Sequence, residues 1–160
     1  MALVSHTVAR TPRVSVERAF DVIVAEDVLP HVLHRWGPIP AVLGTRDLTG
    51  PWSTPGSART VLLDDGAGVH EQVLQWRRPQ RFEYRVDRFA APLCHLADYA
   101  LGAWTFHPTP HGSGFSWTYS FHARRGLVAR LALSLFVHTA WARYMEQCAD
   151  LCVRRAETPS

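Results

Sequence analysis

The chain contains no lysine and no asparagine, and only three cysteines. All 17 of its basic side chains are arginines. Without lysine, Schiff-base aldol chemistry, pyridoxal-dependent catalysis and the phosphate-cradling P-loop are excluded. Without asparagine there is no N-glycosylation acceptor. Cys94, Cys148 and Cys152 are odd in number and match neither a disulfide framework nor a zinc spacing, which points to a reducing, cytoplasmic setting. Long apolar runs are missing too. The longest, "LVARLALSLFVHTAW", is broken by Arg130 and His138 and is too short to span a bilayer. The opening "MALVSHTVARTPRVS" alternates like a strand and has no apolar signal core, so no export is expected.

What is present is an ordinary globular balance. A length of 160 residues is that of one domain, 1–160 with a core over about 4–153, large enough to bury a core and a pocket. The net charge of +3 is mild and the arginines are scattered along the chain, so no nucleic-acid partner is expected. No redox or nucleotide motif occurs, and no cofactor is expected. His31 with His34 and His107 with His111 pair up without a third ligand, so no metal is expected either.

Residues 2 to 11 alternate as a first strand. "VSVERAFDVIV" follows as a helix with Ser15 as N-cap, and "EDVLPHVLHRW" as a second short helix with Asp27 as cap and Pro30 in its first turn. From Ala41 the pattern turns to strands: "AVLGTRDL", "ARTVLL", "GVHEQVLQW", "RFEYRV", "YALGAWTFH" and "GFSWTYSFHAR". From about Gly126 to Arg154 the chain reads as one long helix. Short links between consecutive strands imply an antiparallel sheet, which twists and curves. The fold class expected is α+β. A seven-stranded curved antiparallel sheet, two short helices and a long C-terminal helix enclose a cavity between them.

The succession "GSARTVLL…GVHEQVLQWRRPQRFEYRV…YALGAWTFHPTPHGSGFSWTYSF" followed by a long helix resembles the SRPBCC superfamily, the START-like and polyketide cyclase/dehydrase proteins with a helix-grip fold. The resemblance covers roughly Val4 to Val153 and rests on apolar and turn positions. It implies a hydrophobic small molecule bound between sheet and helix. Function within the superfamily ranges from carriers and sensors to cyclases, and fold alone does not choose.

Strand parity nominates the lining. In "GFSWTYSFH" the aromatics Phe115, Trp117, Tyr119 and Phe121 share one face, and Trp104 and Phe106 share it with Ala100 and Gly102 on the preceding strand. In "RFEYRV" the inward set is Phe82, Tyr84 and Val86. The alternative, a solid aromatic core, leaves the Tyr84 and Tyr119 hydroxyls in need of partners. For "GVHEQVLQW" the direction depends on the turn "RRPQ". A turn of two or four residues points Glu71, Val73 and Gln75 inward, whereas a three-residue turn or a bulge points Leu74 and Trp76 inward and Glu71 to solvent. The inward register is the one expected, and it makes Glu71 a desolvated acid or base, the alternatives being a carboxylate paired with an arginine or one facing water.

Counting strand reversals puts "AAPLCHLADY" at the cavity mouth, making His95 and Asp98 candidates for proton transfer. Catalysis is thus assigned to Glu71, Tyr84, Tyr119, His95 and Asp98. On the long helix, the stripe Leu127, Leu131, Leu135, His138, Ala142, Met145, Ala149 and Cys152 is expected to face the sheet, with Leu131, Leu135, His138 and Ala142 on the ligand. The helix start is apolar nearly all round. It therefore needs a second role or partner: a lid over the ligand, a homodimer mate, a carrier protein or a membrane surface, with Arg124, Arg125 and Arg130 favouring an acidic one. The expected activity is a cofactor-independent cyclase or dehydratase acting on a polyketide-like intermediate, the alternative a non-catalytic carrier or sensor of a lipid-like ligand.

Overall fold

In a computed structural model describing residues 2–160, the chain forms seven strands and a set of helices in the expected order. β1 (Leu3–Arg10) leads to α1 (Val16–Ile23) and α2 (Leu29–Val32), then to β2 (Val42–Arg46), β3 (Ala58–Leu63), β4 (Gly68–Arg77), β5 (Arg81–Asp87), β6 (Ala97–Thr109) and β7 (Gly112–Ala123). All pairings are antiparallel, in the order β1-β7-β6-β5-β4-β3-β2. The helical pair between β1 and β2 carries the chain from one edge of the sheet to the other. The fold is therefore the expected seven-stranded helix-grip.

Ser15 caps α1, its side chain accepting from the Arg18 amide at 3.2 Å. Asp27 does not cap α2, a single turn whose N-cap is Val28, without a side-chain cap. The two faces of the sheet separate as the period-2 pattern requires. Outward rows carry hydroxyl ladders such as Thr7–Thr118 and Thr105–Ser116, both 2.7 Å. Inward rows carry the aromatics, and Trp104 stacks on Trp117 with ring centroids 4.7 Å apart.

The long C-terminal helix is continuous but not uniform. It runs as α3 (Leu127–Phe136), a π turn over Val137–Trp141, and α4 (Ala142–Glu157). The π turn inserts one residue relative to α-helical spacing, which rotates the inward face by one position. Tyr144, Met145, Cys148, Ala149 and Cys152 face the sheet in α4. Before the π turn the inward residues are Leu133, Phe136 and Val137, not the expected stripe. Leu127, Leu131 and Leu135 are instead 71%, 60% and 67% exposed. His138 is exposed as well, its Nδ1 lying 2.9 Å from the Ser134 carbonyl. No described helix is long and apolar enough to cross a membrane.

Candidate functional site

The sheet, α1–α2 and the C-terminal helix leave a cavity of about 360 Å³ between them. Its floor is the inward face of β4–β7: Glu71, Phe82, Tyr84, Val86, Trp104, Trp117, Tyr119 and Phe121. The roof is Phe136, Trp141, Tyr144, Cys148 and Cys152 of the C-terminal helix, and one wall comes from Ile23, Val24, Val28 and Val32. Lining residues exposed to solvent mark the mouth. They are Pro38, Asp65 and the loop Ala90–Pro92. The connection after β5 and the Asp-Asp-Gly turn do meet at the mouth.

Glu71 points inward, although the turn after β4 is one that by itself turns it out. Arg77 pairs with Arg81, leaving three residues in the turn, but a bulge at Leu74 shifts the register a second time. The two shifts cancel. Glu71 and Val73 pair with Val86 and Tyr84 on the inward side, and Trp76 pairs with Phe82. Gln75 is the casualty: it stands opposite Glu83 on the outer side and does not line the cavity.

Glu71 is only 7% exposed. Directly across on β3 stands Arg59, 3% exposed, whose Nε and Nη2 both donate to Glu71 Oε1, at 3.0 and 2.8 Å. Arg59 Nη1 donates to the Glu26 carbonyl at 2.7 Å, and the guanidinium lies 3.6 Å from the centre of the Trp52 ring. Glu71 Oε2 takes part in none of these bonds. Burial raises the Glu71 carboxyl above its usual value, with the Arg59 charge and hydrogen bonds opposing the rise. Sequence reasoning missed Arg59. Its signal was an arginine opposite an inward acid across the turn joining β3 and β4.

Two phenols complete the polar inventory of the floor. Tyr84 accepts from Trp117 Nε1 at 3.0 Å, which leaves its own proton free to donate. Tyr119 makes no side-chain hydrogen bond among the described residues. Burial, followed by nearby negative charge, raises both hydroxyls well above their usual value, so both are neutral donors. Gly102 makes the Tyr84 position attainable. It sits between Tyr84 and Tyr119 in the register, and the Tyr84 ring lies across it.

A curved sheet gripped by a long helix in this way has counterparts among known proteins. The family described as polyketide cyclase/dehydrase and lipid transport matches residues 2–157. The chain belongs to this family. Similar solved structures include the di-domain ARO/CYC StfQ of the steffimycin biosynthetic pathway (TM-score 0.72, 13% identity, 97% of this chain and 51% of that one). The di-domain ARO/CYC BexL of the BE-7585A pathway gives 0.69 at 17% identity, with 99% and 51% covered. Ara h 8.0201 gives 0.68 at 15% identity, with 96% and 99% covered. The chain thus spans about half of either di-domain protein. At these identities the likeness concerns fold. No curated protein matches the chain.

In this member of the polyketide cyclase/dehydrase and lipid transport family, the expected site residues divide in two. Glu71, Tyr84, Tyr119, Phe82, Val86, Trp104, Trp117 and Phe121 line the cavity. Val73 and Phe106 point inward but are absorbed by packing outside it, Phe106 edge-on to Phe20 with centroids 5.2 Å apart. Ala142 is buried without reaching the cavity, and Leu131, Leu135 and His138 lie outside because of the π turn. His95 and Asp98 also lie outside. His95 is exposed on a short 3-10 turn (Leu93–His95), and Asp98 sits 3.3 Å from Arg124 and 3.5 Å from His122 on the far side of the sheet. Sequence reasoning missed the helical wall from α1–α2 and the aromatic roof of Phe136, Trp141 and Tyr144. Among the described residues, no three His, Cys, Asp or Glu side chains gather as a metal site.

Proposed function

We propose that the cavity binds an apolar, ring-sized small molecule and that the protein is a cofactor-independent cyclase or dehydratase with Glu71 as its proton-transfer group. The observation carrying this reading is that Arg59 engages only Oε1 of a buried, cavity-lining Glu71, so that Oε2 remains for a ligand. A carboxylate whose proton affinity is raised by burial is a stronger base than a solvated one. Glu71 would take the proton from a carbon beside a substrate carbonyl. The resulting enolate carbon would bond to a second carbonyl carbon, and the new alkoxide, held by hydrogen bonds from Tyr84 or Tyr119, would take the proton back from Glu71. For a dehydration Glu71 would take the second proton from the same carbon and return it to the departing hydroxyl, which leaves as water. The aromatic walls hold the folded conformer and exclude water. Family membership and the ARO/CYC neighbours support the same class of chemistry.

The Arg59 pairing also favours a second reading, a carrier in which the carboxylate is neutralised and the cavity only holds its ligand. Native mass spectrometry of freshly purified protein identifies the ligand class. With a polyketide-like substrate of that class, Glu71→Gln abolishes turnover and preserves affinity. Unchanged turnover removes Glu71 from the mechanism, and binding without turnover in the unaltered protein establishes the carrier.

A further inference from the structure

The π turn that rotates the C-terminal helix leaves its first segment with an unpartnered face. Leu127, Val128, Leu131 and Leu135 are 71%, 81%, 60% and 67% exposed. At 3.6 residues per turn they fall within an arc of about 100° on α3. Leu133, Phe136 and Val137 occupy the opposite arc, against the body. The outward strip is therefore a surface, and nothing among the described residues covers it.

Its electrostatic setting is one-sided. From residue 124 to 145 the chain has four arginines and no Asp or Glu, while the rest of the chain is close to neutral. Arg125 and Arg130 are exposed and make no ion pair among the described residues, and Arg124 holds only Asp98. The strip also adjoins the cavity mouth. The Arg124 amide donates to the Leu96 carbonyl at 2.8 Å, tying the start of the helix to the rim loop, whose Ala90, Ala91 and Pro92 are exposed. Of the rim acids, Asp64 is paired with Arg35 and Asp65 lies on the β3–β4 turn.

We propose that α3 and the adjoining rim dock on an anionic lipid surface with the cavity mouth turned toward it. Protruding aliphatic side chains with flanking unpaired arginines match the interfacial-helix pattern, in which the apolar face enters the acyl boundary and the cations meet headgroups. The strip is convex and purely aliphatic. A protein interface relies on shaped pockets filled by Trp, Tyr or Arg anchors, whereas a bilayer needs no shape match. Docking does not depend on the cavity's chemistry, so its test is separate from that of Glu71.

The test is co-sedimentation of the full chain with phosphatidylcholine vesicles, with and without phosphatidylglycerol, at low and high salt. Binding is expected to the anionic vesicles at low salt, weaker at high salt and absent from neutral vesicles. Arg125→Gln with Arg130→Gln lowers the affinity roughly thirtyfold. Leu127→Ser with Leu131→Ser abolishes binding while leaving the circular dichroism and melting unchanged, since both side chains are exposed. Equal binding by either double variant overturns the proposal, as does no binding to anionic vesicles. A dimer by light scattering that the Leu127→Ser, Leu131→Ser variant breaks, or saturable binding to a small acidic carrier protein without vesicle binding, assigns the strip to a protein partner and overturns it equally.

Discussion

Gly102 offers the sharpest test of how the cavity floor is built. Its backbone is in an ordinary strand conformation, so alanine there meets no conformational penalty, and the change of residue acts through its Cβ alone. That Cβ would lie 2.0 Å from Cζ of Tyr84, 2.3 Å from Cε1 and 2.4 Å from the hydroxyl oxygen. Carbon atoms in contact prefer about 3.5–4.0 Å, so the ring must retreat by roughly 1.5 Å. The retreat is toward the cavity and disrupts the contacts that now hold the ring. Tyr84 is 6% exposed, is stacked on Phe82 with centroids 5.3 Å apart, and accepts from Trp117 at 3.0 Å.

Retreat breaks the Trp117 bond and strands a buried N–H, which costs about 1–3 kcal/mol. Overpacking adds about 1–3 kcal/mol. Replacing glycine with alanine on permitted backbone returns about 0.4–1 kcal/mol through the unfolded chain. Gly102→Ala should therefore destabilise by roughly 1–5 kcal/mol, read as a fall in urea midpoint at unchanged slope. Repeating the substitution in a Tyr84→Leu background, where the three colliding atoms are gone, should reverse its sign to a gain of up to about 1 kcal/mol. An equal cost in both backgrounds refutes the claim that Gly102 seats Tyr84.

The ion pair gives the next prediction: Arg59→Met strands a buried carboxylate and costs about 3–5 kcal/mol by urea denaturation, while Arg59→Met with Glu71→Leu recovers most of that loss. The stability of the unaltered protein should fall as pH rises from Glu71's usual 4.5 through its raised folded value, because the folded state favours the protonated acid. Glu71→Gln removes this slope from the pH–stability curve, and a slope that persists in the Gln variant assigns it elsewhere. A thiol reagent should modify only Cys94 in the native protein and all three cysteines in urea, since burial raises the Cys148 thiol and closes off Cys152. Rapid native modification of all three would show that the cavity roof opens.

Residue alternation carried most of the sheet. Phe115, Trp117, Tyr119 and Phe121 had to share a face, and so did Phe82, Tyr84 and Val86, because strand parity is local. The parity of Glu71 relative to Tyr84 was not local. It is the product of a three-residue turn and a bulge at Leu74, and either alone reverses it. No composition rule announces a bulge at a leucine, so alternation alone puts Gln75 inside together with Glu71. The helix failed for the same kind of reason. A single π turn at Val137–Trp141 displaced the periodicity by one residue, turning Leu131 and Leu135 outward and Phe136 inward. In the helix the expected stripe matches the buried face beyond the π turn, at Met145, Ala149 and Cys152, and departs from it before the turn.

The two phase changes act on the same space. Cancelling the turn with a bulge brings Glu71 under the cavity, and the π turn brings Phe136 and Trp141 over it. Packing alone does not explain the first. A buried Arg–Glu pair contributes little stability compared with apolar residues of the same volume, because the desolvation of both ions offsets their attraction. This one is nonetheless braced on every side, by Trp52 on the guanidinium face and the Glu26 carbonyl on Nη1. Both of its hydrogen bonds converge on a single carboxylate oxygen. An arrangement serving stability would spread those bonds over both oxygens in a bidentate fork. Converging them on Oε1 fixes the carboxylate's orientation and leaves Oε2 outside the pair, which is the arrangement that the proposed proton transfer requires.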